Sequence, residues 1–417
     1  MIRALFAALI ASFPLLAAET TVTLFHFSDY HSHALAFYTE EGERGGIARA
    51  IGYLGQQKRR GALVFSGGDT INKGAPAWSD QFQCAEWPWW NGIVDAMAFG
   101  NHDADYGLAA FEQCRKSARY PILSANTNGF PPYRVFTRNG LRIGVFAVAG
   151  SDFPQLVKVP GFTFGDPVAA ARETVRTLRE KERVNAVVLI GHQHTESDYD
   201  LARAVPGIDL ILGSHSHLKR ELVQIPGTQT WFIAPSQYVT YISWVELKFA
   251  DGKLGAIDAA LVPVTDRMRA DPGIATRVAN MQAQLEREQP SLFAPIGTLP
   301  SPLSVEALAM RALEVMRRAT STQIAISTTS SFRRPLPAGT LNLELLRGAM
   351  PYDNEIVVCT MSGADLQRLS TESFVAGTYT RDGTYRVATT DYLAGREKFD
   401  CEKTGVRVRA ELQKELR

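Results

Sequence analysis

Five times along this chain a short apolar run ends in aspartate, asparagine or histidine. Residues 21–27 lead into Ser28-Asp29-Tyr30-His31, residues 62–65 into Ser66-Gly67-Gly68-Asp69, and residues 96–99 into Gly100-Asn101-His102-Asp103-Ala104-Asp105. Residues 186–190 lead into Gly191-His192, and residues 210–212 into Gly213-Ser214-His215-Ser216-His217. Such runs read as buried strands. Helical patterns lie between them: residues 46–57, with Ile47, Ala50, Ile51 and Leu54 on one face, and residues 167–183. Alternating strands and helices predict a layered α/β fold, in which ligands bind beyond the carboxyl ends of the strands. Clusters spread over almost 190 residues would then meet on one rim.

The side chains of that rim define a chemistry. Asp29, His31, Asp69, Asn101, His192, His215 and His217 mix hard oxygen with borderline nitrogen and include no thiolate, a set that suits Mn, Zn, Fe or Mg. Seven donors exceed what one zinc takes. They match two divalent ions about 3.5 to 4 Å apart sharing one carboxylate, which can activate a water and clamp the oxygens of an in-line phosphoryl transfer. The segment 100–105 is too polar to be covered cheaply by a core. His102 can reach past a metal toward substrate, and Asp105, three residues on, can hold its other ring nitrogen.

These five motifs, in this order, resemble those of the calcineurin-like metallophosphoesterases, and nearly the whole chain resembles the secreted bacterial 5'-nucleotidases within them. Gly45-Gly46, Asn91, Asp95, Tyr106-Gly107 and Asp198 extend the likeness. The resemblance implies a four-layer α/β/β/α sandwich followed by a smaller α/β substrate-recognition domain. It places Asp29, His31, Asp69 and His217 on one ion and Asp69, Asn101, His192 and His215 on the other, with Asp69 as the bridge. His102 is implied as transition-state stabiliser or proton donor, oriented by Asp105. Asp103 stands where the family often has Glu and reads as a helix-start carboxylate, and His217 stands where these nucleotidases often have an amide. The implied activity is 5'-nucleotidase-type phosphomonoester hydrolysis, with in-line attack by hydroxide held between the ions. A phosphodiesterase or non-nucleotide phosphatase on the same site is the alternative. A binding protein with structural metals is the rival from another class, and His102 and Asp105 argue against it because neither is needed to hold ions.

Residues 1–18 read as a signal peptide: Met1-Ile2-Arg3, an apolar stretch from Ala4 to Leu16, and Ala17-Ala18 before Glu19. The expectation is an exported, periplasmic or secreted protein without a stable membrane anchor, a buried N-terminal helix being the alternative. A net charge of +1 supplies no footprint for nucleic acid. The expected partner is a small phosphorylated molecule, in the first instance a nucleotide. Four cysteines fit an oxidising compartment, and of three connectivities the expected one pairs Cys84 with Cys114 and Cys359 with Cys401, one bridge per domain. Four free buried thiols are the alternative.

The expected organisation is a catalytic domain over 19–266, a linker helix within 267–291 and a recognition domain over 292–417. In the last, Arg333 before Pro335 matches the family's phosphate-gripping arginine, although residues 328–331 replace the usual Asn and Gly, and a surface arginine next to Arg334 is the alternative. No first stacking aromatic is evident in the short segment 370–383, and Phe399 is the candidate for the second. Trp87, Trp89 and Trp90 read either as a wall of the substrate mouth or as packing of the loop pinned by Cys84. His194, two residues past His192, reads as a solvated loop histidine with a spare ligand as the alternative, and His26 and His33 read as strand-face and loop residues.

Overall fold

The computed structural model describes residues 19–416, so the leader read in residues 1–18 lies outside them. Two six-stranded sheets face each other. The first runs in the order Lys253–Pro263, Tyr241–Ala250, Glu19–Phe27, Leu63–Ser66, Ala96–Ala98, Ile122–Leu123. The second runs Lys219–Gln224, Trp231–Pro235, Leu210–Gly213, Ala186–His192, Leu141–Ala149, Tyr133–Arg138. Glu19–Phe27 is antiparallel to Tyr241–Ala250 on one side, but within each sheet the strands bearing the motifs are parallel to one another, with Leu24 opposite Leu63, Phe65 opposite Ala96 and Leu210 opposite Val188. Their carboxyl ends therefore point the same way.

Side-chain alternation builds the layers. Leu24, Leu63, Phe65, Ala96 and Ala98 meet Val145, Ala147, Val188, Ile190 and Leu212 between the sheets. The opposite faces carry Phe25, Phe27, Val64 and Met97 against helix Ile47–Arg59, and Val187, Leu189 and Ile211 against helices Pro167–Arg176 and Thr195–Ala204. The result is the α/β/β/α sandwich. The pattern over 167–183 is α-helical to Arg176 and then widens into a π turn over Thr177–Lys181.

Helix Pro272–Glu288, capped by the Asp271 carboxylate accepting from the Ile274 amide at 2.9 Å, buries Val278 and Leu285 in the outer layer of the first sheet. It thus packs on the sandwich while leading into the second domain. That domain has a five-stranded sheet in the order Ser373–Ala376, Ile324–Thr328, Thr384–Thr390, Glu355–Ser362, Cys401–Arg407. Helices Val305–Thr320 and Val408–Glu415 cover one face, and Gly363–Leu369 and Asp391–Glu397 the other.

Both disulfides lie within single domains: Cys84 with Cys114, Cα atoms 5.5 Å apart, and Cys359 with Cys401, which face each other in register on adjacent strands. Trp87 and Trp90 are buried beside the first bridge, Trp90 stacking on Phe27 at 4.4 Å, so the tryptophans pack this loop instead of walling a substrate mouth. Among the described residues no helix is long and apolar enough to cross a membrane.

Candidate metal centre

The strand ends turn sharply. Asp29, His31, Asp69, His215 and His217 all have positive φ, between 49° and 63°. This region costs an ordinary L-residue about 1 to 2 kcal/mol and is best tolerated by residues with short polar arms. Cross-loop bonds hold it in place: the Asp29 amide donates to Gly68 O at 3.1 Å, His31 to Asp69 O at 2.9 Å and Ser32 to Thr70 O at 2.9 Å. Asp103 is the hub of the adjoining loop, its carboxylate accepting the amides of Gly100 and Thr70, each at 2.8 Å, and of Asp69 at 3.2 Å. The next helix starts only at Leu108, so Asp103 clamps loops together and does not start a helix. A Cβ on Gly100 would lie 2.2 Å from the Asp69 amide nitrogen, so this crossing admits glycine alone.

The seven sequence-selected residues come together in two groups that meet at Asp69. On one side His31 Nε2 lies 3.1 Å from His217 Nε2, 4.0 Å from Asp29 Oδ1 and 3.7 Å from Asp69 Oδ2, and His217 Nε2 lies 3.4 Å from Asp29 Oδ1. On the other, His192 Nε2 is 3.4 Å from Asp69 Oδ2 and 3.2 Å from Asn101 Oδ1, with a nitrogen of His215 in the same cluster. Burial pushes His31 well below its ordinary value and His217 down to about 4, the latter helped by Arg333. Burial pushes the Asp29 carboxyl up, but His217 and His192 outweigh it and hold it well below the carboxylate range.

The donor set fits two divalent cations. Asp29 and Asp69 are buried anions with no Lys or Arg ion pair among the described residues, and buried charge is costly without a counter-ion. Two neutral imidazoles also bring nitrogen to nitrogen at 3.1 Å, an approach that a shared cation satisfies.

Beside the centre, His102 Nδ1 bonds Asp105 Oδ2 at 2.8 Å, and the His102 amide donates to Asp69 Oδ1 at 2.8 Å. Burial lowers the imidazole, but Asp69 and Asp105 more than offset this and hold it up to about 10. Arg333 crosses from the second domain: its Nη1 meets His217 Nδ1, and its Nε donates to Ser330 O at 2.7 Å. Tyr352, 38% exposed, lies with its ring 5.8 Å from the Arg333 guanidinium carbon. Phe399 is partly buried and, like Tyr379, Tyr385 and Cys401, packs against the apolar cluster on one face of its own domain's sheet.

Sequence reasoning missed two residues. Asp152 Oδ2 lies 3.2 Å from His215 Nε2 and 3.3 Å from His194 Nε2, which makes His194 a partnered residue and not a purely solvated one. The signal was present, since Gly150-Ser151-Asp152 is a further polar cluster following an apolar strand. Tyr352 could have been flagged as an aromatic after proline in a connection between helix and strand.

The centre and most of the sandwich lie within residues 22–219, which match the calcineurin-like phosphoesterase family model. Residues 303–381 match the 5'-nucleotidase, C-terminal domain model, so the two matched segments fall one in each domain. Protein UshA of Yersinia enterocolitica is 24% identical over 83% of this chain and 75% of its own. The 5'-nucleotidase precursor of Thermus thermophilus superposes with a TM-score of 0.74 at 21% identity, covering 95% of this chain and 96% of its own. The sulfate thiohydrolase SoxB of the same genus superposes with a TM-score of 0.77 at 19% identity, covering 95% and 94%.

Proposed function

We propose that this chain is an exported hydrolase of phosphate monoesters, with nucleoside monophosphates among its substrates. The observation that carries the reading is the double donor cluster meeting at Asp69 with the His102–Asp105 pair beside it. Asp29, His31, Asp69 and His217 would hold one divalent ion, and Asp69, Asn101, His192 and His215 the other. The ions supply Lewis-acid charge and a nucleophilic water when bound. Asp105 keeps Nδ1 of His102 engaged, so Nε2 is the nitrogen left to donate to a phosphoryl or leaving oxygen. Arg333 can grip phosphate bidentately once it leaves His217.

Names of relatives, 5'-nucleotidase of Vibrio cholerae among them, support the nucleotide class. The exposed Tyr352 supplies one aromatic face for a base. With one aromatic face in place of a full base sandwich, discrimination among esters is expected to be shallow. Two disulfides and the leader read in residues 1–18 support an oxidising, extracytoplasmic location. The test is metal analysis together with kcat/KM for adenosine, guanosine and cytidine monophosphates, a sugar phosphate, a cyclic nucleotide and an aryl phosphate. Bound metal without hydrolysis of any ester would leave the binding-protein reading standing. A preference above about a thousandfold for one nucleotide would defeat the shallow-discrimination part, since it needs a fuller recognition surface.

A further inference from the structure

We infer that docking of the second domain sets the orientation of His102, with Arg347 as the positioning residue. The kinetic part of this inference rests on the hydrolase reading above. Asp105 Oδ2 accepts two bonds, from His102 Nδ1 at 2.8 Å and from the Lys73 amide at 2.9 Å. The Lys73 amide belongs to a loop over 72–76, with little regular structure of its own, that leads into helix Ala77–Phe82. Asn72 Nδ2 donates to Ala75 O at 2.9 Å, and the Gly74 amide donates to Asp80 Oδ1 at 2.9 Å. Asp80 Oδ1 also accepts from the hydroxyl of Tyr106, the residue after Asp105, at 2.8 Å.

Helix Leu343–Ala349 of the second domain closes on this loop. Arg347 Nη2 donates to Gly74 O and lies 3.7 Å from Asp80 Oδ2, while Glu344 Oε1 accepts the Ala77 amide at 2.9 Å. Both side chains are largely covered, at 15% and 17% exposure. The helix buries Leu346 and Ala349 in its own domain's core, so it is a firm support. The path runs from Arg347 to Gly74, to the adjacent Lys73, to Asp105 and to His102. A carboxylate held by two donors has one orientation, and losing the Lys73 bond frees it to turn and take the imidazole with it.

The full chain carrying its metals is assayed with an aryl phosphate. Arg347→Ala is expected to lower kcat about tenfold with KM within about twofold, an effect of imperfect orientation and not of binding. Arg347→Lys should recover most of the loss, because an ammonium can still donate to the Gly74 carbonyl. In an Asp105→Ala background, Arg347→Ala should add nothing further. Glu40→Ala is the control: Glu40 Oε1 accepts the Val305 amide at 3.2 Å across the same domain boundary without touching the loop, and its loss should leave kcat unchanged. Arg347→Met, which keeps the packed stem, replaces the alanine variant if that one does not fold. Hydrogen exchange at the Lys73 amide should speed up about tenfold in either variant, a readout that needs no turnover and survives failure of the hydrolase reading. Losses at Arg347 and Asp105 that multiply independently, or unchanged exchange at Lys73, would overturn the inference.

Discussion

The sandwich delivers its polar side chains from the ends of buried parallel strands, whereas the second domain delivers Arg333 and Tyr352 from connections between elements. Strand ends are fixed by ladders on both sides and by crossing amides such as those held by Asp103; Asp29, His31, Asp69, Asn101 and His192 are buried, and His215 and His217 are largely covered. Arg333 follows a single 3-10 turn, Thr329–Ser331, and Tyr352 sits between helix Leu343–Ala349 and strand Glu355–Ser362. One side of the molecule is built to hold charge in fixed geometry. The other presents side chains from connections, where contacts can be exchanged without rebuilding a core.

The sharpest way to break this contrast is Asp69→Ala. Because Asp69 faces His31 and His192 alike, its loss should empty both metal positions and reduce kcat by roughly 10³-fold or more, read by metal stoichiometry beside turnover. If one ion is retained at full occupancy, the two groups do not share this carboxylate. His102→Ala should separate chemistry from ion binding, keeping metal content near normal while kcat drops about 10²-fold. Full turnover in that variant would remove His102 from the reaction.

Smaller effects are expected across the domain boundary. Tyr352→Ala should lower kcat/KM for nucleoside monophosphates about tenfold and leave an aryl phosphate nearly unaffected, as loss of one stacking face predicts. Phe399→Ala should do the reverse of a recognition variant, lowering the melting temperature with kcat/KM intact, because Phe399 packs its own domain. A nucleotide-selective loss in Phe399→Ala would restore it as a base contact.

The smallest effect tests the support behind the ligand loop. Glu86 is fully buried and bonded by the hydroxyl of Tyr30, which lies between Asp29 and His31. Burial pushes its carboxyl up to about 8, so the folded state favours the protonated form. Its contribution to stability is complete below the ordinary glutamate value near 4.5 and is lost as pH rises through about 8. The melting temperature should fall by a few degrees between pH 6 and 9 in the natural protein, and Glu86→Gln, which needs no proton, should flatten that slope. An unchanged slope would show that Glu86 is ionised in the fold.

How much was legible follows the same division. The strand-end donors were readable because a buried apolar run followed by Asp, His or Asn has few other uses, and the layers followed from alternation. Asp103 was misplaced because a carboxylate near a helix start suggests capping, whereas here three loop amides reach it first. Asp152 escaped because its partners, His194 and His215, lie more than 40 residues away in the chain. Tyr352 was passed over because sequence spacing cannot say which face of a small domain a loop aromatic will meet. Residues such as Trp87 and Trp90 had two readings until burial decided between them.

The left-handed backbone at the donor positions restricts the alphabet from which this centre can be written. A β-branched or bulky replacement at Asp29, His31, Asp69, His215 or His217 meets a steric penalty from its own carbonyl before any question of coordination arises. Asparagine, aspartate, histidine and glycine are the residues that tolerate such a bend best, and three of the four end in a donor on a short arm. An exchange of His217 for asparagine would therefore keep the backbone at ease while changing nitrogen to oxygen. An exchange for valine would disturb the loop even where no ion is bound. The turn itself screens candidate ligands.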